Sequence, residues 1–146
     1  MVTKRFSGKY FFALIVGLVV VLDQLLKVII EKINPHLNLK VLEIVLVKNT
    51  GAGFGIFQGQ TLFLGILSLI VAVAVVAYYS QIPKEKFPQT FFALFLGGVI
   101  GNMIDRFFRG YVIDFINFKV WPAFNLADAC LTIAVIGLVV YYWKQR

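Results

Sequence analysis

Apolar residues along this chain gather into four long runs separated by short polar segments. Residues 10–30, YFFALIVGLVVVLDQLLKVII, hold one acid and one base among apolar neighbours, and about 20 such residues suffice for a helix to cross a bilayer. Further runs cover 61–79, 90–106 and 126–143. The pattern predicts four transmembrane helices over about 10–30, 61–79, 90–106 and 126–143. A cleavable leader does not fit the first run, whose apolar stretch is too long and ends in Lys27-Val-Ile-Ile without a small-x-small site. Between runs one and two the pattern changes. Asn34-Pro35 breaks the helix. Leu39 to Val47, LKVLEIVLV, is rich in β-branched residues and reads as a strand. Gly51, Gly53 and Gly55 follow, and no Gly-Lys-Ser/Thr accompanies them, so a phosphate loop is excluded. Residues 39–57 are therefore expected to form a small β-element resting on the membrane surface.

Composition agrees with a membrane protein. Of 146 residues, 60% are hydrophobic and 14% charged, against about 25% charged in a soluble domain. The expected class is an α-helical polytopic membrane protein, a single membrane domain over 1–146. The net charge of +7 comes from basic residues in the short segments between runs, which points to orientation against an anionic membrane face and not to nucleic acid. Lys4, Arg5 and Lys9, Lys84 and Lys86, and Lys144 and Arg146 crowd the two tails and the 80–89 connector. That density places both termini in the cytoplasm. Four spans then bring Asp23, Asn49, Asn102, Asp105, Asp114, Asn125 and Asp128 into one layer on the extracytoplasmic side. Tyr78, Tyr79, Tyr141, Tyr142 and Trp143 mark interfacial ends. One cysteine, Cys130, allows no internal disulfide, and one His with one Cys makes zinc ligation unexpected. No metal and no cofactor are expected.

Three of the seven acids fall within Gly101–Asp128, GNMIDRFFRGYVIDFINFKVWPAFNLAD. Ionisable groups at the edge of a membrane core are costly and point to function. Asn102 and Asp105 are three apart, as are Asn125 and Asp128, so each Asn shares a helix face with an acid it can hold without neutralising. Arg106 can pair with an acid or a lipid phosphate. Asp23 and Lys27, at i and i+4, suit an ion pair, read either as a structural intrahelical pair or as an anchor for a neighbouring site. Gly97, Gly98 and Gly101 permit close helix packing. Two carboxylates brought together share a proton, so one can activate water while the other protonates a scissile carbonyl. His36, read as a solvated loop residue, and Cys130, read as packing, offer no nucleophile–base pair, and HExxH is absent. An ion or proton carrier is a rival reading, but no ionisable residue lies along runs two to four towards the inner side. A purely structural subunit is a second rival, favoured only if every acid proves replaceable.

Four blocks carry a resemblance: Asp23-Gln24-Leu25-Leu26-Lys27; Asn49-Thr50-Gly51-Ala52-Gly53-Phe54; Gly101-Asn102-Met103-Ile104-Asp105-Arg106 with Val112-Ile113-Asp114-Phe115; and Phe124-Asn125-Leu126-Ala127-Asp128. In this order they resemble lipoprotein signal peptidase, the signal peptidase II family of bacteria, over most of the chain. The resemblance implies an aspartyl endopeptidase of the bacterial cell membrane that acts on diacylglyceryl-modified prolipoproteins, cutting before the lipid-modified cysteine. It implies Asp114 and Asp128 as the catalytic dyad. Asp23, Lys27, Asn49, Gly51, Asn102, Asp105, Arg106, Asn125 and Ala127 would bind substrate or support the dyad, with residues 39–57 as a cradle beside it. Prolipoprotein and membrane lipids are the expected partners, and a monomer is expected. The segment from Asp114 to Asp128 is shorter than in many members, which implies a smaller lid near Trp121, and Gly53 stands where Ala is common.

Overall fold

The computed structural model describes residues 8–53 and 56–146; Lys4, Arg5, Phe54 and Gly55, invoked above, lie outside the described residues. The described residues form four α-helices, α1 (Gly8–Ile33), α2 (Thr61–Ala77), α3 (Lys86–Phe108) and α4 (Leu126–Trp143), with strands β1 (His36–Leu39) and β2 (Leu42–Asn49) between α1 and α2 and β3 (Val112–Phe118) between α3 and α4. α1, α3 and α4 are long and apolar enough to cross a membrane. α2 is apolar but has 17 residues, a rise of roughly 26 Å. Its expected last turn, at Tyr79, is instead a 3-10 turn over Tyr79–Gln81. α3 begins earlier than the apolar run suggested, because its first turn accommodates Pro88 and buries Gln89, whose amide donates to the Pro83 carbonyl at 2.9 Å.

α3 is the central helix and packs against the other three. The three glycines expected to permit close packing do so. A Cβ at Gly97 would lie 2.7 Å from Val19 of α1, one at Gly98 would lie 2.6 Å from the Ala127 carbonyl of α4, and one at Gly101 would lie 2.7 Å from Asp23 Oδ2. Nothing larger than hydrogen fits at those points, so α1 and α4 approach the α3 backbone directly. An apolar core of Phe12, Ala72, Ile82, Ala93, Leu96 and Val99 fills the end of the bundle at the start of α1. Large apolar side chains on α1, α2 and α4, such as Leu18, Ile70 and Ile136, face outward. Outward-facing apolar helices are what a bilayer solvent favours.

The β-element is larger than expected and differently bounded. His36, assigned above to a solvated loop, lies exposed in β1. Lys40, with φ +65°, turns β1 into β2, and Asn38 Oδ1 accepts its N–H at 3.1 Å. β2 begins at Leu42 and runs to Asn49, not 39–47. The third strand was unforeseen: Val112–Phe118, read as connector, joins β2 antiparallel in the order β1-β2-β3. Alternation in VIDFINF buries Ile113 and Phe115 against Ile30 of α1, and Asp114 lies on the other face. The register shifts once, between Ile44 and Val47, where β2 carries one extra residue: Ile44 faces Ile116, whereas Val47 faces Asp114.

Candidate active site

Four buried or half-buried carboxylates lie where the end of α1, the end of α3, β3 and the start of α4 converge. They fall into two sets by the partners that hold them. Asp23 and Asp105 are fully buried, as is Lys27 between them. Lys27 Nζ is 2.8 Å from Asp23 Oδ2 and 2.9 Å from Asp105 Oδ2. The i, i+4 pair is formed, and it is also an anchor: Asp23 Oδ1 accepts the Ala127 N–H at 2.9 Å, satisfying a free donor in the first turn of α4. Ala127 is fully enclosed there, its size limited by the close approach of Gly98 and Gly101.

Asp105 uses every lone-pair direction. Its Oδ2 accepts from Lys27 and from the Ile113 backbone N–H at 3.1 Å; its Oδ1 accepts from Arg109 at 2.6 Å and Gln24 at 3.1 Å. The cation beside Asp105 was expected to be Arg106 and is instead Arg109, one helical turn on, where side chains share a face. Arg109 also reaches Glu31 Oε2 at 3.4 Å, and Tyr111 donates to Glu31 Oε1 at 2.8 Å. Sequence reasoning passed over Arg109, Gln24 and Glu31. The i, i+4 spacing of Asp105 and Arg109 was the available signal for the first.

Asp114 and Asp128 receive only uncharged donors. Asn125 Nδ2 donates to Asp114 Oδ1 at 2.8 Å and Asn49 Nδ2 to Asp114 Oδ2 at 3.0 Å. Asn102 Nδ2 donates to Asp128 Oδ1 at 2.8 Å, and the Asn125 backbone N–H to Asp128 Oδ2 at 3.2 Å. Asn125 and Asp128 form a reciprocal cap on α4, with Asn125 Oδ1 accepting the Asp128 N–H at 2.9 Å. The expectation that Asn102 holds Asp105 is corrected: its amide reaches across to Asp128. The reason is that its Oδ1 accepts from Lys27 Nζ at 2.9 Å and from Asn125 at 3.1 Å, which leaves the amide nitrogen for the carboxylate.

Two local features bring Asp114 and Asn49 together. The β2 bulge puts Asn49 on the same sheet face as Val47, hence beside Asp114; an unbulged register would present Lys48 instead. At the other end, Gly110 takes φ +77° and ends α3, with the N–H groups of Arg109 and Gly110 both donating to the Asp105 carbonyl. β3 can then begin two residues later. Burial pushes the Asp114 carboxyl up to about 7, and the neighbouring Asp128 charge adds to the rise; the Asn49 and Asn125 donors and the Lys27 charge oppose it.

A cleft of about 550 Å³ opens beside the pair, lined by Asn49, Asn102, Arg106 and Asp128 on its polar side and by Trp121, Phe124 and Leu131 on its apolar side. Asp114 is 2% exposed, and Asp128 is half-buried on the cleft wall. Among the described residues Arg106 makes no ion pair with an acid, contrary to one expectation. Its guanidinium donates at 3.4 Å to Ser68 Oγ and to the Gly51 carbonyl, and its buried Nε has no hydrogen-bond partner among those residues. Gly51 is needed for this turn, since a Cβ would lie 2.7 Å from the Ile56 carbonyl. Trp121 stands 56% exposed at the tip of the Phe118–Phe124 loop, which closes by paired backbone bonds between Ile116 and Phe124.

The family model for signal peptidase (SPase) II matches residues 15–144. The lipoprotein signal peptidase of Halothermothrix orenii is 33% identical over 138 residues, covering 91% of this chain and 95% of its own. That of Moorella thermoacetica is 36% identical over 140 residues, covering 91% of each. A solved bacterial membrane enzyme superposes with a TM-score of 0.86 at 33% identity, over 99% of this chain and 93% of its own. A second gives 0.83 at 33% identity, over 100% and 99%. With most of its length matched, the chain belongs to the signal peptidase II family of membrane peptidases.

Proposed function

We propose that this protein removes the signal peptide from diacylglyceryl-modified prolipoproteins, cutting before the lipid-modified cysteine, with Asp114 and Asp128 as an aspartyl dyad. One observation carries the assignment: of the four clustered acids, only Asp114 and Asp128 are held by neutral amides beside a cleft. Asp105 is saturated by two cations, an amide and a backbone N–H. A carboxylate so bound has no lone pair left for water. Asp105 is therefore a support, as are Asp23 and Lys27.

In the reaction the pair carries one proton. The more enclosed Asp114 holds it, and Asp128, on the cleft wall, takes a proton from water as the water oxygen bonds to the scissile carbonyl carbon. Asp114 donates its proton to the carbonyl oxygen, giving a neutral tetrahedral diol. On collapse the C–N bond breaks, the departing nitrogen takes the proton from Asp128, and a diol hydroxyl returns one to Asp114. Asn49, Asn102 and Asn125 hold the carboxylates in plane without supplying charge. Arg106, with weakly engaged terminal nitrogens, offers donors to a substrate carbonyl or lipid phosphate.

The apolar cleft wall suits a lipid-anchored substrate, since burying each CH₂ contributes about 0.8 kcal/mol. All four helices are taken to span the bilayer as one domain, with both termini cytoplasmic and the cleft extracytoplasmic. This reading rests on the basic 80–89 connector and C-terminal tail lying at the end opposite the cleft. The test is incubation of purified protein with matched prolipoproteins bearing or lacking the diacylglyceryl group, and mass measurement of both products. The modified precursor should be cut before the cysteine. No cleavage by folded protein overturns the function, and equal processing of both precursors overturns the lipid requirement.

A further inference from the structure

At the end of the bundle opposite the cleft, α1 and α2 leave a groove of about 600 Å³ between them. α1 contributes Phe12, Ala13, Val16 and Gly17, and Leu96 and Ile100 of α3 lie within the same lining. Lys9 and Tyr79 stand at the loop end of this groove. Lys9, Phe12, Ala13, Val16 and Gly17 follow the i, i+3, i+4, i+7, i+8 spacing that keeps residues on one helix face. The stripe runs from one charged residue into wholly apolar surface over eight residues, or roughly 12 Å. Gly17 is what gives the inner end its depth: a Cβ there would find nothing within 4 Å, unlike those at Gly97, Gly98 and Gly101, which meet a neighbouring helix. Gly17 is therefore not a helix-packing glycine. It faces open space.

The charged end is equally one-sided. Lys9 is exposed and makes no hydrogen bond or ion pair among the described residues. Lys84 lies over the ring of Tyr79 at 4.6 Å and donates to the Tyr79 carbonyl at 3.3 Å, which holds a second ammonium group against a groove-lining residue. Tyr79 itself is fixed, its hydroxyl donating to Gln89 Oε1 at 3.1 Å and its ring meeting Phe12 edge-on at 4.9 Å. The nearby acid, Glu85, is engaged by the Tyr141 hydroxyl on the α4 side. A narrow apolar trough ending in two ammonium groups matches an acyl chain joined to a phosphate.

We propose that this groove binds one anionic phospholipid, its acyl chain against Gly17 and its headgroup phosphate between Lys9 and Lys84. The proposal rests on the reading that α1 and α2 both sit in the bilayer, and not on the cleavage reaction. Two cations with no carboxylate partner among the described residues favour a lipid of net negative charge over a zwitterionic one, whose own ammonium group offsets its phosphate.

The experiment places purified full-length protein in nanodiscs of equal phosphatidylcholine and phosphatidylglycerol, transfers it to mild detergent, and counts retained lipids by native mass spectrometry. Wild-type protein should keep one phosphatidylglycerol in preference to phosphatidylcholine. Lys9→Ala with Lys84→Ala should still retain lipid but lose the preference, by about fivefold for each ammonium group removed. Gly17→Leu, which fills open space, should lose the retained lipid of either kind, with Ala13→Leu as a second groove-filling variant should the first fail to fold. Retention of the two lipids in the disc ratio by wild-type protein overturns the headgroup assignment. Wild-type lipid retention by a folded groove-filling variant overturns the groove, and a dimer that dissociates on Gly17→Leu without bound lipid assigns it to a second copy. Prolipoprotein cleavage measured in the same discs reports separately on the catalytic reading, because none of these residues approaches the cleft.

Discussion

Two pairs of acids converge at one end of this molecule and meet opposite environments. Asp23 and Asp105 are buried with Lys27 between them and Arg109 at the edge. Asp114 and Asp128 are held by Asn49, Asn102 and Asn125. An ammonium group favours the ionised form through its full charge, whereas an amide orients a carboxylate and favours that form less strongly. On the proposed mechanism the first pair supports the site, and the second is the one left to react. The pairs are also joined. Lys27 fixes the Asn102 carbonyl oxygen and so turns the Asn102 amide towards Asp128, while Asp105 holds the Ile113 N–H one residue before Asp114. The charged layer is the mould in which the neutral one is set.

The largest expected contrast is between the pairs themselves. Asp114→Asn or Asp128→Asn should reduce single-turnover cleavage by about 10⁴-fold and leave thermal stability in detergent unchanged or higher, since a like-charge pair is relieved. Asp105→Asn should retain turnover but unfold at lower temperature, because an amide nitrogen would be turned against Lys27 or Arg109. A folded, inactive Asp105→Asn beside an active Asp114→Asn would reverse the assignment of roles.

Removing the central cation tests the charged layer alone. Lys27→Met leaves two buried carboxylates facing each other and should cost about 3–5 kcal/mol, read from equilibrium unfolding in mixed detergent. Wild-type stability in that variant would mean the layer is not held by charge.

pH separates the pairs further. The folded Asp114 value of about 7 lies above its unfolded value, so the folded state binds more protons across that interval. Stability from this group is full below about pH 4 and falls as pH rises towards 7, by an amount on the order of 4 kcal/mol. Asp114→Asn should flatten that slope. The cleavage rate should show an alkaline limb near pH 7, where the shared proton is lost. A rate still climbing at pH 9 would contradict a protonated partner.

The smallest effect belongs to a single amide. Asn49→Ala removes a donor that favours ionised Asp114, so the alkaline limb should move up by about one unit with a modest loss of rate. A limb shifted downward would show that Asn49 acts by some other means.

Much of this was legible from the chain alone. Period and length marked the four helices, because an apolar run in a bilayer must satisfy its own backbone. Spacing paired Asp23 with Lys27, since i and i+4 share a helix face. The glycines of α3 announced close packing, which follows from their size alone. Partners across elements were not legible. Asn102 and Asn125 were expected to hold the acids three residues away; Asn125 does hold Asp128, in a reciprocal cap, but its side-chain amide goes to Asp114, and the Asn102 amide goes to Asp128 and not to Asp105. β3 was missed because seven residues of alternation beside a long apolar helix carry little signal until β2 supplies a partner. The choice between Lys48 and Asn49 beside Asp114 depends on one extra residue in β2, and a bulge is visible only once two strands are paired. Local sequence determines which elements form and which residues share a face. Which of those faces meet, and so which acids receive a cation and which an amide, is decided by long-range packing, because a side chain's charge environment is set by distance in space and not along the chain.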